Sequence, residues 1–187
     1  MHTSPIIEAI LFLIFSVPLV WVSWRSLSNV HNHGLHRLIS WECILWLLIK
    51  NYSYWFVDQV SVHQIVSWTC LLVSLGMLIP GVISLKRTGK ADANRKDDAL
   101  YEFEKTTQLV EIGIFKYVRH PLYSSLLFLT WGIFFKRPDL FLGIVSLVST
   151  AFLFLTALFE EKEDLRQFGG SYSAYKKKTK MFIPFLV

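Results

Sequence analysis

Apolar residues gather into five blocks along the chain, at about 5–24, 38–57, 62–85, 121–135 and 139–159. A helix needs ~20 largely apolar residues to cross the hydrocarbon core of a bilayer. The first, second, third and fifth blocks reach that length. The fourth is short, and is expected to borrow flanking residues or to form a tilted, partly re-entrant hairpin with the fifth. Pro121 suits the first turn of the fourth helix, where its missing N–H is no loss. Arg137-Pro138-Asp139 makes the hairpin turn, because Pro138 disfavours helix for the residue before it. The pattern predicts an all-α integral membrane protein with about five transmembrane helices, the last two paired as a hairpin. It reads as one domain, 1–187, with three spans in 1–85 and the remaining polar and hairpin segments in 86–187.

Composition agrees with that pattern. Of 187 residues, 53% are hydrophobic and only 18% charged, against roughly 25% charged in a soluble domain. The first block lacks the Lys/Arg start of a secretory signal and ends in Trp21-Val22-Ser23-Trp24 instead of small cleavage-site residues, so it is expected to remain as a span. The two cysteines, Cys43 and Cys70, lie inside apolar blocks and read as small packing residues. Two cysteines build neither a disulfide framework nor a zinc site, and no metal is expected. The net charge of +5 comes from residues flanking apolar blocks, which favours anionic lipid head groups over nucleic acid as partners.

The basic residues also orient the chain. With the N-terminus outside, sixteen of the nineteen Lys and Arg fall in 25–37, 86–119 and the tail from 160. Lys136 and Arg137 are left outside, and Lys50 lies within the second span. Cytoplasmic loops carry such an excess, so the N-terminus is expected outside and the C-terminus in the cytoplasm. Both large polar stretches, 86–120 and 160–187, then abut one membrane face, and chemistry is expected there. Glu42 and Lys50 sit eight residues apart on the second span, about two turns and one face. They either line a polar cavity or act as snorkelling or interfacial residues.

At that face the run Arg119-His120-Pro121-Leu122-Tyr123 opens the fourth block, and Glu160-Glu161 closes the fifth. A hairpin would bring them together. Polar groups at that depth cost free energy unless they have partners or a role. His120 and Tyr123 are three residues apart at a helix start and can point to one side. The helix N-terminus adds backbone donors and a positive dipole end, suited to a ligand carboxylate, and Arg119 reinforces both. Gly113 lets the preceding backbone turn or approach a ligand closely. Carboxylates at a helix C-terminus are disfavoured by a few tenths of a kcal/mol, so the Glu pair has a small cost to justify. The plain alternative is that the pentapeptide anchors a helix at the head-group layer while the Glu pair is a solvated helix exit. Tyr172, Tyr175 and Phe182-Ile183-Pro184 read as a lid on the bilayer.

Taken in order, Leu109-Val110, Gly113-Ile114-Phe115, Arg119-His120-Pro121, Tyr123, Glu160-Glu161, Phe168-Gly169, Tyr172, Tyr175 and Phe182-Ile183-Pro184 resemble the isoprenylcysteine carboxyl methyltransferase family. More distantly they resemble the membrane phospholipid methyltransferases. The likeness covers about residues 100–187, while 1–85 match only as generic spans. It implies S-adenosylmethionine as cofactor, held in a cytoplasm-facing pocket closed by the C-terminal segment. By that likeness Thr107, Gln108, Leu109, Val110, Phe115, His120, Pro121, Leu122, Tyr123 and Glu160 are cofactor-binding positions. It also implies carboxyl O-methylation of a membrane-resident lipid or lipidated acceptor.

Three positions depart from the family pattern. The histidine opening the first run is Thr107 here, and a tyrosine is replaced by Phe115. The arginine that meets a prenylcysteine substrate falls on Thr156, and no basic residue lies between Pro138 and Glu161. Cofactor binding is compatible with these changes, whereas recognition of a prenylcysteine carboxylate is not. No residue is obliged to act as catalytic acid or base, since the electrophile comes with the cofactor. Phospholipid amine N-methylation is the alternative chemistry. A non-catalytic carrier or binding subunit is the alternative class, but a carrier would place its charges mid-span or show repeat symmetry.

Overall fold

A computed structural model describes residues 4–27, 34–88 and 108–184, and every long element in it is an α-helix. The order is α1 (Pro5–Leu27), α2 (Gly34–Asn51), α3 (Val62–Thr88), α4 (Pro121–Phe134), α5 (Leu140–Phe168) and α6 (Gly170–Lys178). Short 3-10 turns occupy Tyr52–Tyr54 and Gly113–Lys116. Three helices are long and apolar enough to cross a membrane: Pro5–Trp24 of α1, α3 and α5. The other two expected spans differ. α2 carries Arg37, Glu42 and Lys50 and ends at Asn51, six residues before the expected boundary. α4 has 14 residues, about 21 Å at 1.5 Å per residue, short of the ~30 Å hydrocarbon core.

The ends of the hairpin follow from local chemistry. Pro121 is the first residue of α4, and Asp139 caps α5 by accepting a 2.9 Å hydrogen bond from the Leu142 amide. The other end of α5 requires a correction. The helix does not stop at 159 but runs on to Phe168, so Glu160 and Glu161 sit inside it. Glu, Lys, Leu, Arg and Gln in 160–167 are good helix formers, and leaving the apolar layer does not interrupt the backbone ladder. The dipole cost expected for the Glu pair is therefore absent, because the last turn lies beyond it. Gly169, at φ +56°, ends α5 with the chain reversal that starts α6.

Inter-helix contacts use small residues and hydroxyls, as membrane packing favours. Ser67 donates to the Gly132 carbonyl at 2.6 Å, and Ser74 to the Ser125 carbonyl at 2.7 Å, binding α3 to α4. A side chain at Gly132 would come within 2.9 Å of Leu71. Ser40 on α2 donates to the Ser149 carbonyl of α5. Helix α1 attaches to α2 through polar groups. Lys50 Nζ lies 2.7 Å from Glu8 Oε2, and Ser16 donates to Glu42 Oε1 at 2.7 Å. Glu42 and Lys50 are thus neither cavity-lining nor simply interfacial; they hold α1.

Two apolar clusters make the core. One joins Ile44, Leu47, Ile133 and Leu142. The other joins Tyr123, Leu127, Leu153 and Ala157 to Phe182 of the C-terminal segment. The tail is therefore packed into the helices, with the Phe182 ring tilted against that of Phe154, their centres 4.5 Å apart.

Candidate functional site

The site forms where the start of α4, the middle of α5 and the tail converge. The tail runs parallel to the strand-like stretch before α4 through a bridge between Val118 and Lys180. The Arg119 amide donates to the Lys180 carbonyl at 2.8 Å, and the His120 amide to the Met181 carbonyl at 3.1 Å. Ser124 donates to the Phe182 carbonyl at 2.7 Å, and Tyr175 to the Phe115 carbonyl at 2.6 Å. On the other side, Gly113 at φ +62° presses against α3, where a Cβ would meet Ser84 Oγ at 2.6 Å. Its freedom serves both the turn and the close approach.

The hairpin sets imidazole against carboxylates. His120 Nε2 is 3.6 Å from Glu161 Oε1, and Nδ1 is 4.0 Å from Glu160 Oε2. Glu161 is buried, accepts from Arg119 Nε at 2.7 Å, and is also bound by Lys176 Nζ. Arg119 Nη1 donates further to the Thr179 and Lys176 carbonyls. Two of the three guanidinium nitrogens, Nε and Nη1, are thereby engaged within the protein.

Beside this cluster lies a partly open cavity with about 660 Å³ of empty space, counting the solvent at its mouth. Its walls come from the end of α3 (Leu85), the loop before α4 (Leu109, Val110, Phe115), the start of α4, the Glu160 face of α5 and the inner side of α6. Of the residues expected from the sequence, Leu109, Val110, Phe115, His120, Pro121, Leu122, Tyr123 and Glu160 all line it. Gln108 is exposed and does not line it. Thr107 lies outside the described residues. Thr156 is fully buried, bonds the Phe152 carbonyl at 2.7 Å in its own helix, and does not line the cavity.

Sequence reasoning missed Asp164 and Phe168, which line the cavity with Glu160. The three recur every fourth residue, the spacing of one helix face. That signal was legible only with α5 carried past the apolar block. Tyr172 and Tyr175, read as a lid, form a wall. Burial among carboxylates pushes the Tyr172 hydroxyl pKa well up, and burial does the same at Tyr175, so both stay protonated donors.

Two buried polar atoms on the cavity wall, His120 Nε2 and the Tyr172 hydroxyl, have no hydrogen-bond partner among the described residues. Buried polar groups are normally satisfied; His120 Nε2 has Glu161 Oε1 3.6 Å away, whereas the Tyr172 hydroxyl has capacity left for a polar molecule. This is a helical membrane protein with a cavity lined by apolar, aromatic and ionisable residues at one end of a short helix.

The profile of the phospholipid methyltransferase family matches residues 64–170, more than half of the chain, and the protein belongs to that family. Methanethiol S-methyltransferase 2 of Bradyrhizobium diazoefficiens is 31% identical over 73 residues, which is 38% of this chain and 27% of that relative. Methanethiol S-methyltransferase of a Pseudomonas species is 32% identical over 73 residues, 38% of this chain and 26% of its own. The match thus spans about a quarter of the length of these curated relatives. No solved structure matches the chain.

Proposed function

We propose that the protein is an S-adenosylmethionine-dependent methyltransferase acting on a membrane-resident lipid or lipidated acceptor, with the cavity facing the cytoplasm. The observation that carries this reading is the cavity at the α4 N-terminus, where acidic, aromatic and unsatisfied polar groups meet. Glu160 and Asp164 are suited to accept from ligand hydroxyls and an ammonium group. Phe115, Tyr123 and Phe168 offer flat apolar faces to a purine. The first turn of α4 presents a positive dipole end to a carboxylate. When bound, the cofactor supplies an electrophilic methyl group.

The chain's own residues then hold the reactants in line and exclude water. An amine or thiol acceptor must lose a proton, and His120, beside two carboxylates, is placed to take it; such base catalysis is worth ~10²–10⁴-fold. A carboxylate acceptor needs no base but needs a cation. Arg119 lines the cavity but spends Nε and Nη1 on Glu161 and the carbonyls at the end of α6, and Thr156 offers nothing to the cavity. We therefore favour acceptors without a carboxylate, the amine of a phospholipid among them. A second reading, a small thiol as acceptor, is favoured by the names of the relatives.

The protein in lipid nanodiscs, incubated with methyl-labelled cofactor, tests all three. A membrane lipid extract, a farnesylcysteine analogue and methanethiol are supplied in parallel. Label in the lipid fraction is expected, with little on the analogue. Label on methanethiol alone shifts the acceptor to the second reading, and label on nothing overturns the enzyme assignment.

A further inference from the structure

The tandem carboxylates face different tasks. Glu160 lines the cavity, whereas Glu161 does not. The Glu161 side chain is 2% exposed and touches three basic side chains: Arg119 of the loop, His120 at the start of α4 and Lys176 of α6. Arg119 carries the linkage on, its other nitrogen reaching the Thr179 and Lys176 carbonyls where α6 ends. One buried carboxylate therefore joins the middle of α5, the loop before α4 and the tail.

What this linkage holds is the cavity wall. Tyr172 and Tyr175 on the buried side of α6 line the cavity, and the backbone bridge of Val118 to Lys180 follows directly. Around Glu161 the tail is held by a few backbone bonds and by Phe182 in the core. A buried carboxylate with several charge-assisted partners is hard to break open, and removing its charge leaves Arg119 buried without its counter-ion.

We propose that Glu161 is a positioning residue that latches the C-terminal segment shut over the cavity, while Glu160 contacts the ligand. The latch rests on the methyltransferase reading only for the ligand's identity; the closure itself is a property of the protein alone. Loosening of the tail would remove one wall of the cavity, and Glu161 sets how often that happens. Lys176 is the partly exposed member, at 44% side-chain exposure, and so contributes less than Arg119.

Hydrogen exchange in detergent reads the latch without any ligand. In Glu161→Gln the amides of Arg119, His120 and Lys180 should exchange roughly tenfold faster or more, as local opening becomes easier. Amides inside α3 and the outer half of α4 should be unchanged. Glu160→Gln should leave those three amides as they are. S-adenosylhomocysteine then serves as probe: Glu161→Gln should mainly raise its dissociation rate, whereas Glu160→Gln should weaken binding with the tail still closed. If Glu161→Gln loosens the whole bundle, Lys176→Met replaces it and should give a smaller rise at the same amides with the melting temperature unchanged. Equal exchange in all three variants and the parent overturns the latch. So does faster exchange in Glu160→Gln equal to that in Glu161→Gln. Failure of the parent to bind the probe, with the exchange pattern as expected, refutes the cofactor but leaves the latch standing.

Discussion

The two ends of the α4–α5 hairpin both bury charge, and they do so in opposite ways. At the turn, Lys136 is 1% exposed, with its ammonium 3.6 Å from the centre of the Trp68 ring and 5.1 Å from that of Trp55. It donates to Gln64 Oε1 and the Trp55 carbonyl, and Gln64 in turn donates to the Tyr54 and Lys136 carbonyls. Burial lowers the lysine's pKa, and aromatic faces take the place of a carboxylate. Asn51, donating to the Ile133 carbonyl, leaves Oδ1 without a partner, so even this end is not completely satisfied. At the other end, Arg119 and Glu161 are likewise engaged, but His120 Nε2 and the Tyr172 hydroxyl, on residues that line a cavity, make no hydrogen bond among the described residues. Burial of charge therefore does not mark the site. What marks it is hydrogen-bonding capacity left over beside a space of ligand size.

That contrast can be broken in several ways. The largest effect is one of sidedness. The two ends should lie at opposite membrane faces, so reporter fusions after residues 60 and 187 should report opposite compartments. The same compartment for both would remove the five-span, N-out reading and the separation of the two ends. Next, Gly113→Ala should lower stability by about 1–3 kcal/mol, since it strains a positive φ and drives a methyl into Ser84. A thermal melt unchanged from the parent would show that the loop before α4 does not rest on α3 as described. Gln64→Ala should cost roughly 1–3 kcal/mol by leaving Lys136 without its side-chain acceptor. Affinity for S-adenosylhomocysteine, measured on the folded fraction, should not move, and a tenfold loss would mean the ends are coupled. The smallest effect belongs to Thr156→Val. It removes one intrahelical hydrogen bond, and acceptor turnover should stay within about twofold. A large loss of turnover would return Thr156 to the substrate.

Much of this molecule was legible in its residues, and the gaps have particular causes. Pro121 marks a helix start and Arg137-Pro138-Asp139 a turn through local geometry alone, and the structure places both there. The grouping of His120, Tyr123 and Glu160 was readable because a hairpin returns its second helix to the level where the first began. Asp164 and Phe168 were not, because a hydropathy block ends where lipid ends while the helix continues in water. The end of α2 was misplaced for the converse reason: Tyr52, Trp55, Phe56 and Val57 look like membrane residues, yet they form a turn in which Trp55 packs against Lys136. The partners of Glu42 and Lys50 were hidden because they lie on α1, 26 and 42 residues away. Pairing at that range is set by helix packing and not by any local pattern.

Calorimetry of S-adenosylhomocysteine binding in detergent tests the central claim most directly, comparing the parent with His120→Ala, Glu160→Ala and Lys136→Met. Loss of a hydrogen bond to a charged or polar ligand costs about 1.5–3 kcal/mol, or ten- to a hundredfold in affinity. The parent should bind, the first two variants should each lose that much while still folding, and Lys136→Met should bind as the parent does. No binding by the parent, or the same affinity in all four proteins, would contradict a cofactor site at the α4 N-terminus and leave His120 and Glu160 as a membrane anchor.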